Sequence, residues 1–106
     1  MAYERLAWEV LRLAREIPRG RVSTYGALAE ALGNKNLARF VGRALGMNEN
    51  PAKTPCHRVV RADGRLGGYR WGIRKKAALL RTEGVDVRGM KVEDMNRRLF
   101  GKFRRL

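Results

Sequence analysis

The chain has little of what usually anchors a metal site or a disulfide: one cysteine and one histidine in 106 residues. A single cysteine excludes an internal disulfide and leaves a free thiol. Structural zinc, which takes four ligands that are mostly cysteine or histidine, is excluded by the same scarcity, so no metal is expected. No apolar run approaches the roughly 18 residues of a membrane span. The start, Met1-Ala2-Tyr3-Glu4-Arg5, lacks the charged-then-apolar plan of a signal peptide. A cytoplasmic protein is therefore expected. No internal repeat, linker or low-complexity segment divides the chain, whose length suits one domain with a real core.

Acidic residues are also scarce. Ten of them face 24 lysines and arginines, for a formal charge of +14, and the basic residues run from Arg5 to Arg105 instead of forming one tail. Such a charge repels itself in a compact state, so a polyanionic partner is expected, with DNA or RNA ahead of an anionic membrane and of a merely soluble basic surface.

From Tyr3 to Ile17 apolar residues recur at three and four, which predicts a helix that Pro18-Arg19-Gly20 ends. Arg21-Val22-Ser23 reads as a short extended link. Thr24 stands as N-cap to a helix over 25–32, closed by Gly33. Asn34 or Asn36 can cap the next helix, Leu37 to Leu45, which Gly46 stops. Two short helices joined by a tight turn read as helix-turn-helix, with Arg39 and Arg43 on one face of the second, turned by default to a DNA major groove. An ordinary helical hairpin in an all-α core is the plainer alternative. Met47 to Pro51 is a loop. Val59-Val60-Arg61 has strand character, and Ala62-Asp63-Gly64-Arg65 a turn, which together allow a small β-hairpin. A glycine-flanked aromatic loop, 67–72, precedes a helix over 73–82 with Ile73, Ala77 and Leu80 on one face. Beyond Gly84, Val92, Met95, Leu99, Phe103 and Leu106 predict an amphipathic basic helix. That tail can dock on the domain, pair with another chain or stay mobile until it meets DNA. The fold class expected is mainly α: a single winged-helix-like domain over 1–84 with a basic tail over 85–106.

The lone cysteine and lone histidine are neighbours, Cys56-His57. A thiolate attacks where a thiol hardly does, so a reactive cysteine needs a group to take its proton. Adjacency does not guarantee contact, and a base acting through a bridging water is as good a reading as a direct pair. Glu83 is one candidate to orient the imidazole. Equally, a lone cysteine can be a small buried apolar residue and the histidine can satisfy a backbone group.

The block Pro55-Cys56-His57-Arg58-Val59-Val60, then Gly68-Tyr69-Arg70-Trp71-Gly72 and Leu80-Arg81-Thr82-Glu83-Gly84, closely resembles the active-site domain of the O6-alkylguanine-DNA alkyltransferases. Upstream, Val22-Ser23-Thr24-Tyr25-Gly26 and Ala38-Arg39-Phe40-Val41-Gly42-Arg43-Ala44-Leu45 resemble that family's helix-turn-helix, so the match runs from about Tyr3 to Gly84. It implies a single-turnover DNA repair protein that moves an alkyl group from guanine O6 in duplex DNA irreversibly to Cys56, without a cofactor. His57 would be the base through a bound water, Glu83 the carboxylate that orients it, and Asn48 the brace of the turn. Tyr25 would donate to the guanine ring as charge develops. The resemblance places the second helix in the minor groove, against the major-groove default. Arg39 would enter the base stack beside a flipped nucleotide, with Ala38 and Gly42 allowing close approach and Thr24 and Arg43 adding DNA contacts. Val59, Tyr69, Arg70 and Leu45 would line the pocket, whereas Trp71 can equally pack under the glycine loop.

Three departures accompany the match. No amino-terminal domain precedes the helix-turn-helix, so a monomeric stand-alone active-site domain, or a fragment, is expected. Phe40 is bulky where a groove-facing helix would prefer a small side chain. The tail lies outside the recognisable blocks. The competing reading is an alkyltransferase-like protein that binds alkylated guanine without repairing it; such proteins replace the cysteine that this chain keeps. A plain helix-turn-helix regulator would leave the cysteine block unexplained.

Overall fold

The apolar spacing near the start of the chain is realised as α1, Ala2–Glu16, in a computed structural model that describes residues 2–104. Val10, Leu13, Ala14 and Ile17 are buried along one side, while on the other Arg12 bridges Glu9 at 3.1 Å and Glu16 at 2.6 Å. Pro18 blocks continuation, and Gly20 turns the chain at φ +89°.

A two-residue strand, β1 (Ser23–Thr24), leads straight into α2 (Tyr25–Ala31). Thr24 Oγ1 accepts from the Ala27 N–H at 3.0 Å, the N-cap expected from sequence. Asn34 caps a 3₁₀ turn, Lys35–Leu37, which passes into α3 (Ala38–Gly46). The helix-turn-helix is thus present, with α3 beginning one residue later than its apolar pattern. Its inner face carries Phe40, Val41, Ala44 and Leu45, and Arg39 and Arg43 stay exposed. Phe40 does not crowd the outer face: it is 7% exposed, its ring edge-on to Tyr3 at 5.1 Å.

Val59–Val60 forms β2, paired in parallel with β1 in the register Ser23↔Val59 and Thr24↔Val60. The expected hairpin is therefore replaced by a crossover pairing. The chain does reverse after β2, with the Arg61 N–H donating to Arg65 O at 2.8 Å, but the valines turn their backbone to β1. Alternation along a strand explains why. Val59 is buried in a core built by α1, α2 and α3, and Val60 in a second core with Val22, Leu66, Val85 and Val92, so β2 separates the two. The second core is closed by α4 (Ile73–Thr82), through Ala77 and Leu80. Ile73, expected on that face, is 42% exposed, and Lys76 is wholly buried instead.

The tail is not the single amphipathic helix that its spacing predicts. It makes an antiparallel pair, β3 (Val87–Arg88) with β4 (Lys91–Val92), and one helical turn, α5 (Met95–Arg98). It then runs extended beside Val22, whose N–H donates to Arg98 O at 2.9 Å and whose carbonyl accepts from the Phe100 N–H at 2.7 Å. Backbone groups committed to that pairing cannot also close helical turns. The spacing of three and four arises because the tail feeds two cores: Val92 enters the second and Phe103 the first. Of the tail's alternatives, docking is what the described residues do; Leu106 lies outside them. Among the described residues no helix is long and apolar enough to cross a membrane.

Candidate active site

Cys56 opens a 3₁₀ turn, Cys56–Arg58, that runs directly into β2. Its N–H donates to Thr54 O at 2.8 Å, and the Arg58 N–H to Pro55 O at 3.0 Å. Just past α3, Asn48 is buried; its Nδ2 donates to Thr54 O at 3.0 Å and reaches Cys56 Sγ at 3.3 Å, while Oδ1 accepts from the Asn50 N–H. The sulfur is thereby held at one place in the floor of a cavity of about 730 Å³.

The cavity gathers most of the residues singled out from sequence. Tyr25, Ala38, Arg39, Gly42 and Leu45 from the helix-turn-helix face Tyr69 and Arg70 from the glycine-rich loop across the Cys56 floor. Arg70 straps that loop to the end of α3 by donating to Asn48 O at 3.0 Å. Val59 is a correction: its side chain is fully buried in the first core, and it does not line the cavity. Thr24 and Arg43 lie outside it as well. The Thr24 oxygen is occupied as an N-cap, and Arg43 stands on the exposed side of α3.

Behind the floor lies a group of charges. His57 is 5% exposed, with Nε2 3.0 Å from Glu83 Oε2. Among the described residues neither ring nitrogen has an aligned hydrogen-bond partner, so the approach to Glu83 is a close polar contact rather than a directed bond. Burial pushes the imidazole below its ordinary range; Glu83 opposes this, and Arg58 and Lys76 reinforce it. The ring is therefore neutral near pH 7. Arg58 holds Glu83 through both oxygens, at 2.9 and 2.7 Å, and sends its third nitrogen to Ile17 O at 2.8 Å. Burial would raise the Glu83 carboxyl, but the bonds from Arg58 and the nearness of the His57 ring outweigh it and hold it below the usual range.

Three further residues went unnoticed in the sequence. Lys76, from α4, donates to Val59 O at 2.7 Å and Gly68 O at 3.1 Å, and its Nζ lies 3.4 Å from the Tyr25 hydroxyl. Burial lowers its pKa to about 8, against an opposing contribution from Cys56. The Tyr25 hydroxyl is shifted upward, first by burial and then by Cys56, with Arg61 opposing. Arg61 itself lines the cavity. At Gly67, φ is +73°, and an added Cβ would come within 2.7 Å of the Tyr25 hydroxyl. The signal for Lys76 was its place three residues after Ile73 and four before Leu80, on the buried face of α4. Arg61 and Gly67 gave none beyond local turn character.

Residues 5–85 match the family model of the 6-O-methylguanine DNA methyltransferase DNA-binding domain. The chain belongs to that family. Among sequence relatives, a methylated-DNA–protein-cysteine methyltransferase of Methanopyrus kandleri is 51% identical over 73% of this chain and 56% of its own. The Escherichia coli bifunctional transcriptional activator/DNA repair enzyme Ada is 45% identical over 77% of this chain and 22% of its own. The chain thus spans little more than half, or less, of these curated relatives. Among solved structures, S. pombe Atl1 in complex with DNA containing O6-carboxymethylguanine superposes with a TM-score of 0.80 at 25% identity, covering 92% of this chain and 95% of its own. Mycobacterium tuberculosis OGT in complex with DNA gives 0.65 at 40% identity, over 77% and 48%.

Proposed function

We propose that this chain binds duplex DNA containing O6-alkylguanine and takes the alkyl group onto Cys56 in a single turnover. The observation that carries this reading is the position of the only cysteine: it floors a cavity that Ala38, Arg39, Gly42 and Leu45 of α3 wall on one side. On this reading α3 enters the minor groove, Arg39 fills the gap left by the flipped nucleotide, and Ala38 and Gly42 allow the backbone to approach. The hydroxyl of Thr24 and the guanidinium of Arg43 contact flanking phosphates. Base flipping is required because O6 of a stacked guanine is out of reach of a thiol in a cavity floor. Residues 1–84 carry this chemistry as an active-site domain, and the tail seals the sheet edge beside Val22.

The thiol proton passes through one water to His57, which burial keeps neutral and able to accept it, and Glu83 balances the imidazolium formed. Sulfur attacks the alkyl carbon, the S–C bond forms as C–O6 breaks, and guanine leaves as an anion. It is neutralised by the proton of the Tyr25 hydroxyl. An ammonium has no acceptor, so Lys76 fixes that hydroxyl with a lone pair toward Nζ and its proton free to point away. Lys76 then stabilises the phenolate until water reprotonates it. The thiol gives up one proton and guanine takes up one, so the sum is balanced.

The fit to Atl1 over nearly the whole of both chains favours a second reading, a lesion-binding protein without transfer. One experiment separates the two. After incubation with duplex DNA carrying O6-methylguanine, intact protein and peptides are weighed. One added methyl on the Cys56 peptide, absent in Cys56→Ser, supports transfer; lesion-selective binding with no mass change supports the second reading.

A further inference from the structure

Cys56 and His57 are adjacent in sequence but open on different spaces. Cys56 lines the large cavity and His57 does not. His57 instead lines a second cavity of about 270 Å³ with Pro51, Ala52, Trp71, Lys75 and Leu79. Tyr69 lines both. Ala52, Trp71 and Lys75 are exposed, so this space opens to solvent on its own side. Three buried polar atoms of its lining, both His57 ring nitrogens and the Tyr69 hydroxyl, have no hydrogen-bond partner among the described residues, and buried groups of that kind are normally satisfied by water.

If a flipped base fills the large cavity, the duplex covers its mouth and the Cys56 side loses contact with bulk water. The proton taken from the thiol then needs another way out. The charged groups facing His57 are Glu83 at the end of α4, Arg58 from its own turn and Lys76 from α4, with Lys75 lining the cavity. Glu83 is already held by Arg58 through both oxygens, and the two lysines and Arg58 are donors, so none of them is a ready acceptor. We infer that the second cavity is the solvent port of His57: water enters from the Trp71–Lys75 side, carries off the proton accepted from Cys56, and keeps the imidazole in exchange with bulk while DNA seals the front. The use of the port in catalysis rests on the transfer reading, whereas its existence does not.

The chain's only histidine gives one imidazole signal by NMR, so exchange of its ring N–H with water can be followed without ambiguity. The measurement compares free protein with protein saturated by undamaged duplex, then repeats both on Ala52→Phe and Leu79→Trp, which fill the port from the loop and from α4. The expected result is that duplex changes the wild-type exchange rate by less than twofold, and that each filled variant with a native spectrum exchanges at least tenfold more slowly in both states. A tenfold slowing of the wild type on adding duplex would overturn the inference, and that arm needs no variant. So would native-like filled variants that exchange at the wild-type rate. Transfer from methylated duplex is followed in the same samples by mass. Failure of wild-type transfer would sink the enzyme reading while the exchange data still decide the port.

Discussion

Behind the cavity floor, the Arg58 side chain is 15% exposed, with Glu83 gripped through both oxygens and Ile17 O taking its third donor. In front of it, Arg39 stands exposed on α3 at the cavity wall, and among the described residues it makes no ion pair or side-chain hydrogen bond. The same side chain is bonded through all three nitrogens in one place and left open in the other. A buried guanidinium must have its partners inside the fold, because an unpaired one is too costly to keep from water. An exposed guanidinium can keep its donors for a phosphate or a base. The inner arginine is therefore tied into the fold beside His57, whereas the outer one keeps its donors free for the DNA contact proposed for it. The way to break this contrast is to remove each and read both properties.

The largest effect is expected from Arg58→Met. It leaves the Glu83 carboxylate, 7% exposed, without its main partner, at a cost of about 3–5 kcal/mol. Urea unfolding measures it, and a loss under about 1 kcal/mol would mean that the pair is far better hydrated than its burial indicates. Lys76 comes next and has a sign of its own. Its pKa is about 8 in the folded chain against an ordinary 10.5, so between these values the unfolded chain binds a proton that the folded chain does not. Stability should therefore rise as pH rises from about 8 toward 10, by up to about 3 kcal/mol. Above that, Tyr69, pushed up to about 12, works in the opposite direction. Unfolding midpoints at pH 7.5, 8.5 and 9.5 test this. The same slope in Lys76→Met would assign the effect to some other group.

How much of this could be read from the chain alone follows from the range of the physics involved. The first helix and the helix-turn-helix were legible because spacing at three and four, the Thr24 cap and the glycine stops all act over a few residues. Cys56, Asn48, Tyr25 and Glu83 as one constellation came from family resemblance, and the fold does bring sulfur, amide, imidazole and carboxylate close together. Arg58 with Glu83 stayed hidden because that pair forms between a turn and a helix end far apart in the chain. Lys76 stayed hidden inside the run Arg74-Lys75-Lys76, which looks like a solvated face. Val59 as a pocket residue also came from the family resemblance, but strand alternation sends it into the first core. The tail misled for a related reason, since its helical spacing comes from residues that serve two separate cores.

Gly67 tests how tightly the front of the site depends on its frame. Alanine there must adopt φ +73° and bring a methyl to 2.7 Å from the Tyr25 hydroxyl. Backbone strain alone costs about 1–3 kcal/mol, and the hydroxyl has to leave its place beside Lys76. Gly67→Ala should lose about 2 kcal/mol of stability and slow the first-order transfer step about tenfold, with duplex affinity changed less than twofold. Single-turnover quench-flow and a binding titration separate these. Weakened duplex binding with a normal transfer step would instead make the loop a DNA contact and leave the Tyr25 placement unsupported.

The smallest effects belong to the outer arginines, where the contrast with Arg58 is sharpest. Arg39→Ala and Arg43→Ala should each change stability by less than about 0.5 kcal/mol, as surface substitutions away from any buried network do. They should then differ from each other. Arg43, as a phosphate contact, should lower the slope of log affinity against log salt by about one and weaken all duplexes alike. Arg39, as the residue that holds the stack open, should slow repair of duplex DNA about tenfold while leaving reaction with a free alkylated guanine base nearly unchanged, because only the duplex has a gap to hold. Equal losses on duplex and free base would remove Arg39 from the groove and return it to the cavity wall as a lining residue.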